Sequence, residues 1–531
     1  MTETLKSQKE WCRQNMSAQN TSKSIPALSI QTRLGNDLIF VDKPNGITTH
    51  AVERGQTGFV ELLQASLGKQ LWVSHRLDKT TSGAMAFALS AVRADQLRIE
   101  FAEHRVKKTY WLVTDRQSRL DRYEVRTADG AETHFERIKR SPFFELWKAF
   151  PFSGKTHQIR KHAAEIHLPI LGDPTYGGSD FPTLCLHSQK LEIPGEAAYE
   201  CPPPRYFERL GILKDARLVK WIFEIDRRQR LFDFLNHREQ ILRLIDSDEL
   251  ILDSYSDGLA LQWYVEKLEK KDQTRIQFLA NLLGHPLLIQ QRKNRGQDPH
   301  SNPILELAVV DDQRLPEEWT ALEDDLKFRI AKNRGLSFGI FVDQRANRRW
   351  VQSTSAGKRV LNLFSYTGGF SVAAAKGGAS QVISVDLSQK YIDWSKENFG
   401  LNGLDLAPHL FVAADAFDYL QIAQKRAQKG NQDDRFDLIV CDPPTFARSG
   451  SRVLKLEKDY AKLVESCLSV LKPRGTLLFS CNIENVSEDF LLKKLSLQFP
   501  KTKIEVASTD WDCRWVDRPA GMKAYRLTLI N

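Results

Sequence analysis

The 531-residue chain is 41% hydrophobic and 27% charged, with a mean hydropathy of −0.41. That length exceeds what one hydrophobic core supports, so two to four domains are expected. No apolar run approaches the roughly eighteen residues of a membrane span. A net charge of +9 suits a polyanionic partner. The polar N-terminus lacks the apolar segment of a signal peptide, and the seven cysteines (12, 185, 201, 441, 467, 481 and 513) form no CxxC pair. A reduced, cytoplasmic chain without metal is therefore expected.

Residues 1–34 read as a polar tail. Asp37 to Asp42 (DLIFVD) predicts a strand stopped by Lys43-Pro44-Asn45-Gly46, and Lys108 to Thr114 and Phe143 to Phe150 predict two more. Such short strands, punctuated by Gly and Pro up to about Glu200, predict a mixed, largely antiparallel sheet. The triple proline after Cys201 marks a boundary. Arg227 to Leu244 then shows helical spacing, with Leu231, Phe234, Leu235, Ile241 and Leu242 on one side. A middle region of strands and helices closes through the acidic stretch Pro316 to Asp325. From Lys358 regular βα alternation sets in, with strands expected at 360–364, 382–385, 410–412, 438–441 and 476–480, and two late ones at 504–507 and 525–530. That alternation predicts a doubly wound, mainly parallel sheet.

HRLDKTTSG (His75 to Gly83) sets Asp78 between Arg76 and Lys79, followed by small hydroxyl residues. Taken alone, HRLD is an ordinary surface charge cluster. The full string, however, resembles the catalytic loop of the RluA-type pseudouridine synthases. So do VDKPNGITTH (Val41 to His50), KKTYWLV (Lys107 to Val113), SGKTHQIRKHAAEIHLPILGDPTYGG (Ser153 to Gly178) and LCLHSQKLEIP (Leu184 to Pro194), in the same order and spacing. The resemblance implies that Asp78 attacks the target nucleotide and that Arg160 pairs with it. It also implies that Arg76 fills the space of a flipped-out uridine and that Tyr110 stacks on the uracil and assists proton removal from carbon 5. Lys155 stands where the family usually has Arg, which keeps the charge and loses the forked geometry. Lys155 and His157 are expected at the RNA. His157, His162 and His167 are five residues apart, a turn of about 140° each on a helix, which argues against a shared metal.

LNLFSYTGGF (Leu361 to Phe370) follows a predicted strand and opens a helix. Phe364, Tyr366, Thr367 and Gly368 would line a nucleotide there, and Asp386 and Asp415 at the next strand ends would meet ribose hydroxyls and an adenine amino group. The GxGxxG of NAD-binding sheets is missing. Asp442-Pro443-Pro444-Thr445-Phe446 closes the fourth strand, with Asp442 and Pro443 beside the donated methyl and Phe446 stacking on a base. This half resembles the S-adenosylmethionine-dependent methyltransferases of bacterial 23S ribosomal RNA, including their approach segment GIFVDQR (Gly339 to Arg345) and a shortened central domain. Arg345, together with Lys332, Arg334, Arg348 and Arg349, would line the RNA approach. VDLSQKYIDWSKENFGLNGL and DPPTFARSGSR are closest to the guanine-N7 branch. FSCN (Phe479 to Asn482) resembles a segment of the cytosine-5 branch, in which Cys481 would be a nucleophile; a small apolar residue ending a buried strand is the competing reading.

The expectation is therefore a multidomain α/β and α+β chain. A pseudouridine synthase domain (35–205) precedes a linker helix and small α+β middle domain (206–335) and a Rossmann-like class I methyltransferase domain (336–531). Its cofactor would be S-adenosyl-L-methionine and its partner structured RNA. With only about 35 residues ahead of the first motif block, the small RNA-binding domain that often precedes such synthases is not expected, nor is the PUA-type domain of some methyltransferase relatives. A non-enzymatic RNA-binding or ribosome-assembly role is the alternative from a different class.

Overall fold

In a computed structural model the described residues are 33–34, 37–51, 58–232, 240–247, 249–264, 269–292, 304–310, 315–332, 337–430, 434–449, 452–482, 486–507 and 522–530. The first sheet runs in the order Arg33–Leu34, Leu38–Lys43, Ser82–Ala88, Leu186–Glu192, Lys107–Thr114, Glu145–Pro151, Glu132–Arg140 and Arg122–Arg126, with Tyr199–Glu200 pairing beside Leu186–Glu192. Only Ser82–Ala88 and Leu186–Glu192 run parallel, so the sheet is mixed and largely antiparallel, as expected. Alternation along Leu38–Lys43 explains why all six residues are buried. Ile39 and Val41 pack with Phe59, Leu63, Leu77 and Phe87 on one face, while Leu38 and Phe40 pack with Ala86, Leu97 and Tyr199 on the other.

The predicted helix Arg227 to Leu244 is corrected in both position and type. The helix spans Ala216–Phe232, and Ile241–Asp246 is a strand paired with Leu250–Tyr255. Residues 233–239, with Phe234 and Leu235, lie outside the described residues. The helix buries Leu218, Val219, Trp221, Ile222 and Ile225, a stripe upstream of the one that was expected. ILRLID has apolar residues compatible with either period, and pairing with Leu250–Tyr255 decides for the strand.

This helix carries the chain between the first sheet and the middle one. A single apolar cluster includes Leu112, Trp147 and Leu186 of the first sheet, Val219 and Ile222 of the helix, and Leu252, Leu261 and Leu287 of the middle sheet. Trp221 meets Trp263 edge to face at 5.2 Å. At the other end of the helix, Arg230 reaches back to the first sheet, pairing with Asp42 and donating to the carbonyl of Pro202 at 2.8 Å. The middle sheet orders Ile241–Asp246, Leu250–Tyr255, Gly258–Tyr264, Leu287–Arg292 and Ile304–Val310, with helix Lys270–Leu283 in its one parallel crossover. A hairpin, Glu318–Glu323 and Leu326–Ala331, follows.

The third sheet has the order Leu410–Ala413, Gln381–Asp386, Arg359–Leu363, Phe436–Cys441, Leu471–Cys481, Lys523–Leu529 and Thr502–Val506. The first five strands are parallel, and Lys523–Leu529 runs against both neighbours. The order reverses between Arg359–Leu363 and Phe436–Cys441. The carboxyl edge there is where open α/β sheets bind ligands. No helix among the described residues is long and apolar enough to cross a membrane.

Asp42 is 4% exposed, and burial raises its carboxyl pKa while the Arg230 guanidinium opposes that shift. Arg230→Met should therefore destabilise the full chain by about 3–5 kcal/mol, because a buried carboxylate loses its cation. Arg230→Met with Asp42→Asn should recover most of that loss in denaturant unfolding. No recovery would mean that the arginine acts through packing alone.

Candidate active sites

The HRLDKTTSG loop is held at both ends. The backbone N–H of Ala86 donates to His75 Nε2 at 3.0 Å, the His75 ring stacks on Phe101 at 4.6 Å, and burial lowers the imidazole pKa to about 4. Thr49 Oγ1 donates to the carbonyl of Leu77 at 2.9 Å and accepts from its N–H at 3.2 Å. Asn45 Nδ2 donates to the carbonyl of Thr80 at 2.5 Å, and Gly46 N–H to that of Lys79 at 2.8 Å. Lys43, fully buried, donates to the carbonyls of Ile47 (2.7 Å), Pro44 (3.0 Å) and Lys79 (3.4 Å). Burial lowers its ammonium pKa to about 7, against the pull of Asp78 and Asp42. Between these anchors Asp78 is half-buried, and Arg76 and Lys79 are exposed.

The expected pairing of Arg160 with Asp78 is not what the structure shows. Arg160 makes a forked pair with Asp173, Nε to Oδ2 at 2.7 Å and Nη2 to Oδ1 at 2.6 Å. A buried carboxylate in plane with the guanidinium outcompetes a half-exposed one. The side chain paired with Asp78 is His157, with Nε2 at 3.7 Å from Oδ2, while Lys43 and Arg160 interact with Asp78 through their charges. Its Nδ1 shares a 3.0 Å hydrogen bond with Tyr176 Oη, and the guanidinium of Arg160 lies 4.9 Å from the Tyr176 ring centroid. Arg160 thus touches Tyr176, which in turn holds His157, and its charge also interacts directly with that of Asp78. His157 itself has φ 56°, a left-handed conformation that a non-glycine residue holds only when its surroundings enforce it.

Tyr110 sits opposite Ser188 in the sheet, half-buried, and burial raises its phenol pKa to about 12. Lys155 is exposed, 4.0 Å from Asp129. His162 is buried against Thr133 and His167 is exposed, so the three histidines do not converge. Among the described residues no three His, Cys, Asp or Glu side chains gather as a metal would require. Lys43, Asp173 and Tyr176 were missed as site residues, although all three lie inside the motif blocks.

In the third sheet, the turn after Arg359–Leu363 places Phe364, Tyr366 and Gly368 at φ 54°, 47° and 77°. A Cβ on Gly368 would lie 2.0 Å from Ser395 Oγ, so only glycine fits. Asp386 accepts from the N–H of Tyr366 at 2.8 Å and of Ser388 at 2.9 Å, which ties the second strand end to this turn. Thr367 Oγ1 donates to the carbonyl of Gly339. Asp415 caps the helix Ala416–Gln428, accepting from Phe417 N–H at 2.9 Å. A strained turn with a carboxylate at each adjacent strand end fits a nucleoside with free ribose hydroxyls, as S-adenosylmethionine has.

Asp442 accepts from Gln344 Nε2 at 2.9 Å, and Asn347 Nδ2 donates to Gln344 Oε1 at 2.8 Å. Burial, and next the charge of Asp343, raise the Asp442 carboxyl pKa to about 7. Pro443 is buried and Phe446 half-buried. Gln344, two residues into a 3-10 turn, was not singled out from the sequence.

Two expectations are corrected here. Arg345 is 4% exposed and donates to the carbonyl of Ile241 at 2.7 Å, so it joins the middle sheet to the third instead of facing RNA. Arg348 is buried likewise, in a forked pair with Glu323. Lys332 is buried near Glu317, Arg349 pairs with Asp324, and Arg334 lies outside the described residues. Cys481 is 1% exposed in an apolar cluster with Leu463, Phe479 and Tyr525, which is the packing role and not that of an exposed nucleophile.

Residues 37–165 match the RNA pseudouridylate synthase family and residues 288–528 the S-adenosylmethionine-dependent methyltransferase family. Ribosomal RNA large subunit methyltransferase K of Neisseria meningitidis serogroup B is 43% identical over 190 residues, 34% of this chain and 52% of that protein. Ribosomal RNA large subunit methyltransferase I of Aeromonas salmonicida is 34% identical over 253 residues, 46% of this chain and 60% of that protein. The chain thus spans little more than half the length of these relatives. A methyltransferase solved in complex with SAH is 27% identical, covering 59% of this chain and 81% of its own, with a TM-score of 0.51. The N-terminal half of the chain thus resembles the RNA pseudouridylate synthases and its C-terminal half the S-adenosylmethionine-dependent methyltransferases.

Proposed function

We propose that the chain is a bifunctional RNA-modifying enzyme of the cytoplasm. Its first half (35–205) converts uridine to pseudouridine. Its last part (336–531), with the middle domain (206–335), methylates a base, guanine at N7, in large-subunit ribosomal RNA. The observation that carries this reading is that one chain holds two independently built carboxylate sites. Asp78 stands on a loop clamped at both ends, and Asp386 and Asp442 stand at the switch-point edge of a parallel sheet. The ribosomal target follows the relatives, which are ribosomal RNA large subunit methyltransferases.

For the first reaction the N1–C1′ bond of uridine breaks, the base turns, and a C5–C1′ bond forms. The proton on carbon 5 leaves and N1 gains one. Asp78 attacks the flipped-out nucleotide and later departs. Arg76, which is exposed, fills the gap left in the RNA in this reading. With its phenol pKa near 12, Tyr110 stays protonated at neutral pH and serves as a stacking face. His157, held by its hydrogen bond with Tyr176, lies beside Asp78 and positions it.

For the second reaction, S-adenosylmethionine bound on the Phe364–Gly368 turn supplies an electrophilic methyl group. The chain's part is positional. Asp386 holds the ribose end, Asp415 stands at the next strand end toward the adenine, and Asp442 with Pro443 and Phe446 sets the acceptor. Guanine N7 already carries a free lone pair, so alignment suffices and no base has to be supplied. The burial of Cys481 supports this acceptor over cytosine carbon 5.

Asp78→Asn should reduce tritium release from RNA labelled at uridine carbon 5 by about 10³-fold or more, with methyl transfer unchanged. A variant that still makes pseudouridine would refute the carboxylate mechanism. The raised pKa of Asp442 predicts the sign of a second effect. The folded state binds this proton more tightly than the unfolded chain does, so the contribution is fully present below about pH 4 and lost as pH rises through about 7. Asp442→Asn should therefore be more stable than the parent at pH 8 by about 1–3 kcal/mol, with the gap narrowing as pH falls and closing below about pH 4, and should lose methyl transfer. A variant less stable at pH 8 would contradict the buried-charge account.

A further inference from the structure

The segment Gly339–Arg345 joins the two edges of the methyltransferase site. At one end the carbonyl of Gly339 accepts from Thr367 of the donor turn. Gly339 itself has φ 131°, and a Cβ there would lie 2.5 Å from the carbonyl oxygen of Arg329 and 2.9 Å from the Trp394 ring. In the middle, the carbonyl of Phe341 accepts from Arg348 Nη2 at 2.8 Å, and Arg348 is fixed by buried Glu323. At the other end Gln344 Nε2 reaches Asp442 of the DPP turn at 2.9 Å. The backbone is therefore immobilised between the place of the donor and the place of the acceptor.

Against that frame the side chain of Phe341 stands out. Phe338, Ile340, Val342, Gln344 and Arg345 are all at most 4% exposed, whereas Phe341 is 42% exposed. Its ring leans on Tyr366 of the donor turn at 5.4 Å, and Tyr366 in turn meets Tyr391 edge to face at 4.5 Å. A large apolar ring held out of the core, backed by two tyrosines and mounted on a rigid backbone, is a preformed stacking platform with little left to order on binding. The planar apolar group that must enter beside Asp442 is the acceptor nucleobase, which has to leave its own stack to be methylated.

We propose that Phe341 stacks on the extruded acceptor base of the RNA and so sets RNA affinity and acceptor alignment at the methyltransferase site. The inference rests on reading that site as an RNA base methyltransferase. It places the acceptor between Phe341 and Asp442, with Gln344 as the group that keeps the Asp442 carboxylate turned toward it.

The test uses the full chain with Phe341→Leu and Phe341→Tyr. Methyl transfer to large-subunit ribosomal RNA is measured as kcat and KM, donor binding by calorimetry with S-adenosylmethionine, and folding by Tm. Phe341→Leu should lower kcat/KM for RNA on the order of 10-fold to 100-fold, as expected for the loss of one base–aromatic stack. S-adenosylmethionine affinity and Tm should hold, and Phe341→Tyr should restore most of the rate. Unchanged RNA kinetics in Phe341→Leu would overturn the proposal alone. A parallel loss of S-adenosylmethionine affinity would also overturn it, by making the ring a wall of the donor site. Absence of any RNA methylation by the parent chain would overturn the underlying reading, and the proposal with it.

Discussion

The ammonium of Lys43 is taken wholly out of water and held by the carbonyls of Pro44, Ile47 and Lys79. It ties the turn that ends the strand Leu38–Lys43 to the loop that carries Asp78, and so sets where the first carboxylate stands. Leu38–Lys43 is the strand on which this depends, because alternation sends Lys43 to the face of the loop and Asp42 to the opposite face. There Asp42 meets Arg230, a residue of the helix that leads into the middle sheet. The loop of the first site and the connector to the second half are therefore fixed through two consecutive residues.

The second site uses the same kind of restraint with different parts. Its turn is strained at Phe364, Tyr366 and Gly368, and the strain is held by N–H groups donated to Asp386 and by the contact of Thr367 with Gly339. Asp442 stands in surroundings that disfavour its charge, beside Asp343, and is steadied by Gln344. Both halves place a carboxylate on a loop or turn whose backbone is fixed by neighbouring hydrogen bonds. Such preorganisation lets binding energy be used at the reacting atoms.

Much of this was legible in the amino-acid order. The parallel strands of the third sheet are short buried runs such as Val382 to Val385, and their βα rhythm gives the fold class directly. Asp78, Tyr110, Asp386 and Asp442 stand at sheet or loop positions that their motifs specify. What the order did not show were choices made in three dimensions. Arg160 has two carboxylates within reach of the fold, and the buried one, Asp173, takes the fork. Arg345 and Arg348 look like a basic surface in sequence, yet both are buried, Arg345 against Ile241 of the middle sheet and Arg348 against Glu323 of the hairpin. Ile241–Asp246 fits a helical stripe until Leu250–Tyr255 pairs with it. Lys43 was passed over because a lysine inside a strand-and-turn motif reads as solvated.

The central claim is that one chain performs two chemistries on RNA. Nucleotide-resolution mass spectrometry of ribosomal RNA from cells with and without the protein tests it most directly. Cells lacking it should lose at least one pseudouridine and one N7-methylguanosine from large-subunit ribosomal RNA, while cells carrying Asp78→Asn should lose only the pseudouridine. Unchanged levels of both marks in cells lacking the protein would contradict it.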